Sequence, residues 1–237
     1  MQKETSLPAK QAQKLSVIHQ SALRLLNLIN QILEFRKTET QNKKLCVSKG
    51  NIAPLIYEIG LKYKELNQKT KIDFQIQIEK EEMLLFFDKE IITIVLDNLI
   101  SNAIKYTEQG RVTLSLYQTI RNEVAYTEIK VSDTGYGISA EALPHIFDRY
   151  YQESGKHQAS GTGIGLALVK NLVTLHEGEI RAESMQNEGS TFYISLLTDN
   201  IYPNALHADS TEPIQEDTNQ ALNIHKKPHW IPVNRSC

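Results

Sequence analysis

The chain has little cysteine, almost no net charge and no long apolar run. Its two cysteines, Cys46 and Cys237, lie far apart and lack the spacing of metal ligands, so neither a disulfide framework nor a zinc site is supported. A net charge of -2 over 237 residues gives no broad basic surface. This excludes an electrostatic case for nucleic acid or an anionic membrane as the main partner.

The longest apolar run, from Ile91 to Leu96, is interrupted by Thr93 and is far shorter than the roughly 18 residues that a membrane span needs. The first ten residues, MQKETSLPAK, contain no apolar segment typical of a signal peptide. We therefore expect a cytoplasmic chain with no direct membrane contact of its own. A longer parent protein could still be anchored in a membrane.

The end of the chain lacks glycine altogether. Four of the seven prolines and none of the eleven glycines fall in residues 200–237, where the apolar residues lose any period. Such a composition is typical of segments without a packed core. We predict that residues 199–237 form a linker or disordered tail.

An apolar seam runs along the N-terminal region. Its positions alternate at intervals of three and four residues, and Leu26 and Leu33 widen it: Leu15, Ile18, Ala22, Leu25, Ile29 and Ile32. This heptad pattern predicts one long helix within residues 1–40 that ends near Lys37 and packs against a helical partner. The alternative, packing of the helix on the body of its own domain, stays open.

Residues 43–198 mix helical and strand patterns and are predicted to form one domain. Short strands are expected at 43–48 and Leu84–Phe87, and an alternating strand at Ile72–Ile78. Helices are expected from Ile52, capped by Asn51, and after Asp88. A hairpin over 111–132, a helix from Gly165 to His176 and two strands near 178–185 and 190–197 complete the predicted domain.

Two asparagines stand four residues apart in LDNLISNAIKYT. On a helix, Asn98 and Asn102 share one face, so their amide oxygens can approach one magnesium ion together with the oxygens of a triphosphate. Lys105, within one turn of Asn102, can reach a phosphate. The segment alone also allows the asparagines to bind neighbouring backbone instead.

A carboxylate and five glycines follow downstream. Asp133 stands where a strand ends, before Gly135 and Gly137, and can accept a hydrogen bond from an exocyclic amino group such as that of adenine. Gly161, Gly163 and Gly165 precede a helix, whose N-terminal amides suit phosphate oxygens. The connection over 134–162 is long enough to be a lid, and Arg149 in it can contact the triphosphate.

Together these motifs resemble those of the sensor histidine kinases of two-component systems, over about residues 10–198. LDNLISNAIKYT resembles the N box, DTGYGI the first glycine box, IFDRYYQ the F box, GTGIGLALVK the second glycine box, and GSTF the last short box. The wording is especially similar to hybrid two-component sensors of Bacteroides-type bacteria. The resemblance implies an α+β fold, a two-layer α/β sandwich of the histidine kinase/gyrase type, with a mixed, largely antiparallel sheet, helices on one face and one long bundle helix before it.

The resemblance also implies residue roles. Asn102, with Asn98, would hold Mg2+, Lys105 and Arg149 would meet phosphates, and these four would be the catalytic residues. Asp133 would bind the adenine amino group. The implied ATP site comprises Asn98, Asn102, Lys105, Tyr106, Asp133, Gly135, Gly137, Ile138, Phe147, Arg149, Gly161, Thr162, Gly163, Ile164, Gly165, Leu166 and Thr191. Phe147 would anchor the lid by packing, and Thr191 would support the adenine end.

One departure concerns the phosphoacceptor histidine. The first helix is similar to the second helix of the family's dimerisation and phosphotransfer hairpin, while the phosphoacceptor box is absent and His19 does not fit it. We therefore expect transfer of the ATP terminal phosphoryl to a histidine outside this chain, in a fragment of a longer kinase or a naturally shortened one. The implied partners are a phosphoacceptor helix hairpin, a response regulator receiver domain and a second copy in a homodimer.

Two other functions stay open. One is an ATP-hydrolysing machine of the gyrase or chaperone type, in which a glutamate four residues before the metal-binding asparagine activates water; here that position is Asn98, which is a poor base. The other is a nucleotide-binding or dimerisation module without kinase activity of its own.

Overall fold

The computed structural model describes residues 9–40, 43–68, 71–152 and 162–208. The predicted long helix is present as α1, Ala9–Glu39. Its apolar seam is exposed, whereas Phe35 near the end of α1 is buried. The following side chains of the seam are 45% to 64% exposed: Leu15, Ile18, Leu25, Leu26, Ile29, Ile32 and Leu33. The seam thus has no cover among the described residues. None of the described helices is long and apolar enough to cross a membrane.

Capping side chains begin the next two helices where the sequence predicts them. Strand β1, Cys46–Asn51, leads into α2, Ile52–Leu66, and Asn51 Oδ1 accepts a hydrogen bond from Ala53 N at 3.1 Å. Strands β2, Ile72–Ile78, and β3, Leu84–Phe87, precede α3, Lys89–Tyr106. Asp88 Oδ1 accepts from Ile91 N at 3.0 Å, which satisfies one of the free N–H groups of the first turn of α3.

The main sheet has five strands. Strands β4, Gly110–Arg121, and β5, Val124–Asp133, form the predicted hairpin, and β6, Glu179–Met185, and β7, Gly189–Leu197, follow helix α4, Gly165–Leu175. The order is β2-β4-β5-β7-β6, with β2 parallel to β4 and all other pairs antiparallel. The predicted mixed, largely antiparallel sheet is confirmed.

Helices α2, α3 and α4 pack on one face of this sheet. Side chains of alternate strand positions point into the same core, among them Leu114, Ile129 and Ile194, and all three are buried completely. The opposite face carries polar side chains such as Tyr117 and Glu128, which hydrogen-bond to each other. The fold is thus the two-layer α/β sandwich that the sequence predicts.

A smaller sheet closes the domain and changes one expected boundary. Strand β8, Leu206–His207, pairs in parallel with β1, which also pairs with β3. Tyr202 is buried within the segment that leads to β8. Residues 199–208, predicted as the start of a tail, are therefore packed onto the domain, because a large aromatic side chain and backbone hydrogen bonds hold them there. Residues 209–237 lie outside the described residues.

Candidate nucleotide site

Helix α3 presents Asn98 and Asn102 on one face, next to the N-terminus of α4. The Asn98 Nδ2 donates to Ile94 O at 2.8 Å, which turns its Oδ1 away from the backbone of α3. A Cβ atom placed on Gly165 would lie 2.9 Å from this Oδ1, so the amide oxygen directly faces the first residue of α4. Asn102 is half-buried, and its amide has no hydrogen-bond partner in the described parts of the chain.

The Asn98 oxygen is not free in this arrangement. It accepts a hydrogen bond from Gln31 Nε2 of α1 at 3.1 Å. The Asn98 amide is therefore satisfied partly by backbone, as the sequence allowed, and partly by a side chain from a helix outside the sandwich. Asn98 Oδ1, which faces Gly165 and Gln31, is the atom that a metal ion would use.

Among the described residues, no side chain caps the N-terminus of α4. Its first-turn N–H groups therefore stay available to an anion near Asn98. Gly163 has a φ of +67° and packs so closely on Tyr150 that a Cβ would lie 2.6 Å from the Tyr150 carbonyl carbon. Thr162 Oγ1 accepts from Ile164 N at 3.3 Å, and Ile164 and Leu166 pack on the core. Gly161 lies outside the described residues.

Asp133, at the end of β5, has one oxygen fixed by backbone. Its Oδ1 accepts from Gly135 N at 2.9 Å and from Ser190 N at 3.3 Å. No donor to Oδ2 is found among the residues that the structure describes. Burial raises the pKa of Asp133 above its ordinary value, and the two N–H groups oppose this only in part. The carboxylate thus offers one outward acceptor in a partly dry setting.

Gly135 and Gly137, in the first glycine box, allow backbone segments to pack closely beside Asp133. A Cβ on Gly135 would lie 2.3 Å from Tyr106 O, and Gly137 has a φ of +65°, with Met185 O at 2.0 Å from the position of a Cβ. Ile138 N donates to Ser184 Oγ at 2.8 Å. Only glycine fits these two approaches without moving the end of α3 or the end of β6.

The two cationic side chains expected at the site, Lys105 and Arg149, are both exposed. Lys105 is exposed, and its Nζ lies 4.7 Å from the ring centroid of Tyr106 and 3.2 Å from the Tyr106 hydroxyl. Arg149 is exposed, and its guanidinium lies 4.9 Å from the ring of Phe35 in α1. Phe147 packs edge-on against Phe192 at a centroid distance of 6.4 Å, which agrees with an anchoring role.

Comparison with known proteins identifies this architecture. Residues 87–200 match the sequence model of the family described as histidine kinase-, DNA gyrase B-, and HSP90-like ATPases. The chain carries a histidine kinase ATPase domain. Histidine kinase P4 of Formosa agariphila is 35% identical over 243 residues, which cover 93% of this chain and 17% of that protein. Sensor histidine kinase WalK of Bacillus subtilis is 31% identical over 185 residues, 77% of this chain and 30% of that protein.

Solved structures agree. The catalytic domain of histidine kinase ThkA superposes with a TM-score of 0.55 at 26% identity, covering 65% of this chain and 99% of that one. Full-length ShkA in complex with AMPPNP gives a TM-score of 0.68 at 23% identity, covering 82% of this chain and 40% of that one, and shows the fold alone. The chain spans 17% and 30% of the lengths of the two curated relatives named above.

The donor set of the ATPase domain suits a hard cation. No cluster of three or more His, Cys, Asp or Glu side chains suited to a metal occurs among the described residues. The candidate ligands are the amide oxygens of Asn98 and Asn102, and magnesium accepts such oxygens together with phosphates and waters. The residues therefore fit Mg2+ bound jointly with a nucleotide.

One assignment made from the sequence, that of Thr191 to the adenine end, differs from what the structure shows. Thr191 shares a hydrogen bond between hydroxyl groups with Ser132. Since side chains alternate along a strand, Thr191 and Ser132 lie on the sheet face opposite to Asp133. The neighbour Ser190 instead donates its N–H to Asp133, and its Oγ lies 3.0 Å from Ser184 Oγ. The strand register on β5 would have pointed to Ser190, because residue 190 is the partner of 133.

Proposed function

We propose that this ATPase domain is the ATP-binding catalytic part of a sensor histidine kinase in two-component signal transduction. It transfers the terminal phosphoryl of ATP to a histidine of a phosphoacceptor helix hairpin, supplied by the parent protein or by a partner chain. The observation that carries this proposal is the amide of Asn98, four residues before Asn102, at the position where a hydrolysing relative would need a base.

The adenine end rests on Asp133. Its Oδ1 is held by Gly135 N, so its outward Oδ2 is oriented to accept the adenine amino group. Gly135 and Gly137 allow the close approaches of Tyr106 O and Met185 O that hold the backbone beside Asp133 in place. We assign Ser190, rather than Thr191, as the residue that supports Asp133. Ile138 contributes an apolar wall.

The phosphate end lies between α3 and α4. Asn102 and Asn98 would hold Mg2+, which neutralises charge on the phosphates. The first-turn N–H groups of α4, the ammonium group of Lys105 and the guanidinium of Arg149 would contact the phosphates. Phosphoryl transfer needs mainly positioning and charge neutralisation, so this set suffices without a strong general base.

At the position of Asn98, no group could activate a water molecule for attack on ATP. Asn98 Nδ2 is a donor held by Ile94 O, and its oxygen is too weak a base to take a proton from water. We therefore expect slow ATP hydrolysis. A neutral imidazole of an incoming histidine is already nucleophilic and needs no base in the ATPase domain.

The exposed seam of α1 indicates the helical partners that we propose. This seam, which includes Leu25, Ile29 and Ile32, matches the face of a helix that packs in a bundle. We propose that it completes a dimerisation hairpin and a homodimer in the parent kinase. A response regulator receiver domain would then accept the phosphoryl group from the histidine.

The test combines binding and transfer. The chain is incubated with magnesium, γ-labelled ATP and a separately made helix hairpin that carries a phosphoacceptor histidine, and Asn102→Ala serves as the matched variant. Label on the hairpin with the wild-type chain, and none with Asn102→Ala, supports the proposal. ATP binding without transfer indicates a binding module, fast ATP turnover without a hairpin indicates a hydrolase, and no ATP binding refutes the nucleotide site itself.

A further inference from the structure

The C-terminal third of α1 contacts the candidate phosphate end of the ATPase domain directly. Gln31 Nε2 donates to Asn98 Oδ1 at 3.1 Å, and the buried ring of Phe35 lies 4.9 Å from the guanidinium of Arg149. One turn further, Asn171 Nδ2 of α4 donates to Thr38 Oγ1 at 3.3 Å. The helix thus meets two of the four residues assigned to catalysis.

An ion-pair cluster fixes this docked position. Lys43 Nζ lies 2.9 Å from Glu34 of α1 and 3.1 Å from Glu90 of α3, and its side chain is only 9% exposed. The charges and hydrogen bonds of Glu34 and Glu90 raise the pKa of Lys43 despite the opposing effect of its burial. Lys43 therefore remains charged and ties α1 to α3 at neutral pH.

The hydrogen bond from Gln31 falls on the oxygen that a magnesium ion would need. Because Asn98 Nδ2 is held by Ile94 O, the amide cannot rotate to turn its one oxygen away from Gln31. A magnesium ion binds its oxygen ligands at about 2.0–2.1 Å. A partly positive N–H group directed at the same oxygen would repel the ion at that distance.

Gln31 has room to move away. A cleft of about 360 Å3 opens beside the contact, between α1, α2 and α3, and both Gln31 and Asn98 line it together with Ser101 and Asp97. The side chain can rotate into this polar cleft, or α1 can leave the domain. Either movement exposes Asn98 Oδ1.

We propose that Gln31 is a positioning residue that makes docking of α1 and binding of the magnesium nucleotide mutually antagonistic. The inference rests on the proposed function, since it assumes that Asn98 Oδ1 takes part in holding the metal. By linkage, the metal nucleotide weakens the docking of α1 by the same factor by which docking weakens its binding. Whether α1 is docked therefore depends on whether the ATPase domain holds the metal nucleotide. A movement of α1 in turn changes the affinity for that nucleotide.

The test measures ATP binding to the full chain by calorimetry, with magnesium and in EDTA. Gln31→Leu keeps the size of the side chain and removes its donor. A hydrogen bond of this kind contributes about 0.5–1.5 kcal/mol, so we expect Gln31→Leu to tighten binding about two- to tenfold with magnesium. In EDTA, where no metal competes for Asn98, we expect no change.

Thr38→Val is the second variant, because it weakens the docking of the same helix at the Asn171 contact without touching Asn98 or Gln31. By the same linkage, we expect Thr38→Val to tighten ATP binding with magnesium by up to the same factor, and to leave ATP binding in EDTA unchanged. In the wild-type chain, magnesium ATP should also speed hydrogen exchange of the α1 amides near Gln31, whereas ATP in EDTA should not.

The outcomes separate the two proposals. If the chain binds no ATP, the proposed function fails and the inference with it. If ATP binds but Gln31→Leu matches wild type, or tightens binding equally in EDTA, the antagonism is refuted while the nucleotide site stands. The antagonism is likewise refuted if Thr38→Val weakens ATP binding with magnesium or changes it in EDTA.

Discussion

The hydroxyl of Tyr202 lies 2.9 Å from Nδ1 of His176, and both side chains are buried. Their rings meet edge to face at a centroid distance of 5.0 Å. His176 Nε2 in turn accepts a hydrogen bond from Asp88 N at 3.1 Å. This chain of contacts joins the segment after β7 to the end of α4 and to the start of α3.

Removal of Tyr202 should therefore destabilise the ATPase domain. We expect Tyr202→Ala to lower the free energy of unfolding by about 3–5 kcal/mol, as for other buried aromatic residues. Ile201→Ala, at an exposed neighbour, should change it by less than about 0.5 kcal/mol. Urea unfolding followed by circular dichroism measures both, and equal, small effects would show that residues 199–208 do not belong to the domain.

His176 should make stability depend on pH. Burial lowers its pKa in the folded domain, so the unfolded chain takes up the proton first as the pH falls. The contribution of the neutral ring is complete above the unfolded pKa of about 6.5 and is lost between that pH and the lower folded pKa, by up to about 1.4 kcal/mol per pH unit. We expect the difference in unfolding free energy between wild type and His176→Gln to shrink from pH 7.5 to pH 5.5. A constant difference would contradict this.

Asp133→Asn should weaken ATP binding at neutral pH by about 10- to 150-fold, since a hydrogen bond to a charged group contributes about 1.5–3 kcal/mol. Burial raises the pKa of this carboxyl group, so wild-type affinity should fall as the pH is lowered through that raised pKa. The variant should lack this fall. Calorimetry across pH measures it, and Asp199→Asn, at an exposed carboxylate, serves as the control. Wild-type affinity in Asp133→Asn would refute the adenine assignment.

Gly137→Ala should disrupt the first glycine box. The positive φ and the approach of Met185 O leave no room for a Cβ, so we expect a loss of at least about 2 kcal/mol in unfolding free energy and weaker ATP binding. Gly50→Ala is the matched control, because its Cβ would meet only the Phe87 ring, at 3.7 Å. If both variants unfold and bind ATP alike, the close approach at Gly137 is not important.

Local sequence patterns were sufficient to predict most of the helices and strands. Asn51 and Asp88 are found as the caps that the sequence predicts, and the alternation from Ile72 to Ile78 gives the strand that is observed. The spacing of Asn98 and Asn102 was likewise sufficient to place both on one face of α3. These features depend on neighbours within a few residues or on one helix face, so they can be read from the chain directly.

Contacts between distant segments were decided only by the tertiary structure. Ser190 rather than Thr191 reaches Asp133 because the pairing of β5 with β7 sets which side chains share a face. Tyr202 is buried because β8 returns to β1, and Gln31 reaches Asn98 because α1 docks beside α4. The sequence by itself determined the helices, the strands and the residue types of the proposed magnesium nucleotide site. Which of those residues meet was decided by strand register and helix docking, which depend on the packing of residues far apart in the chain.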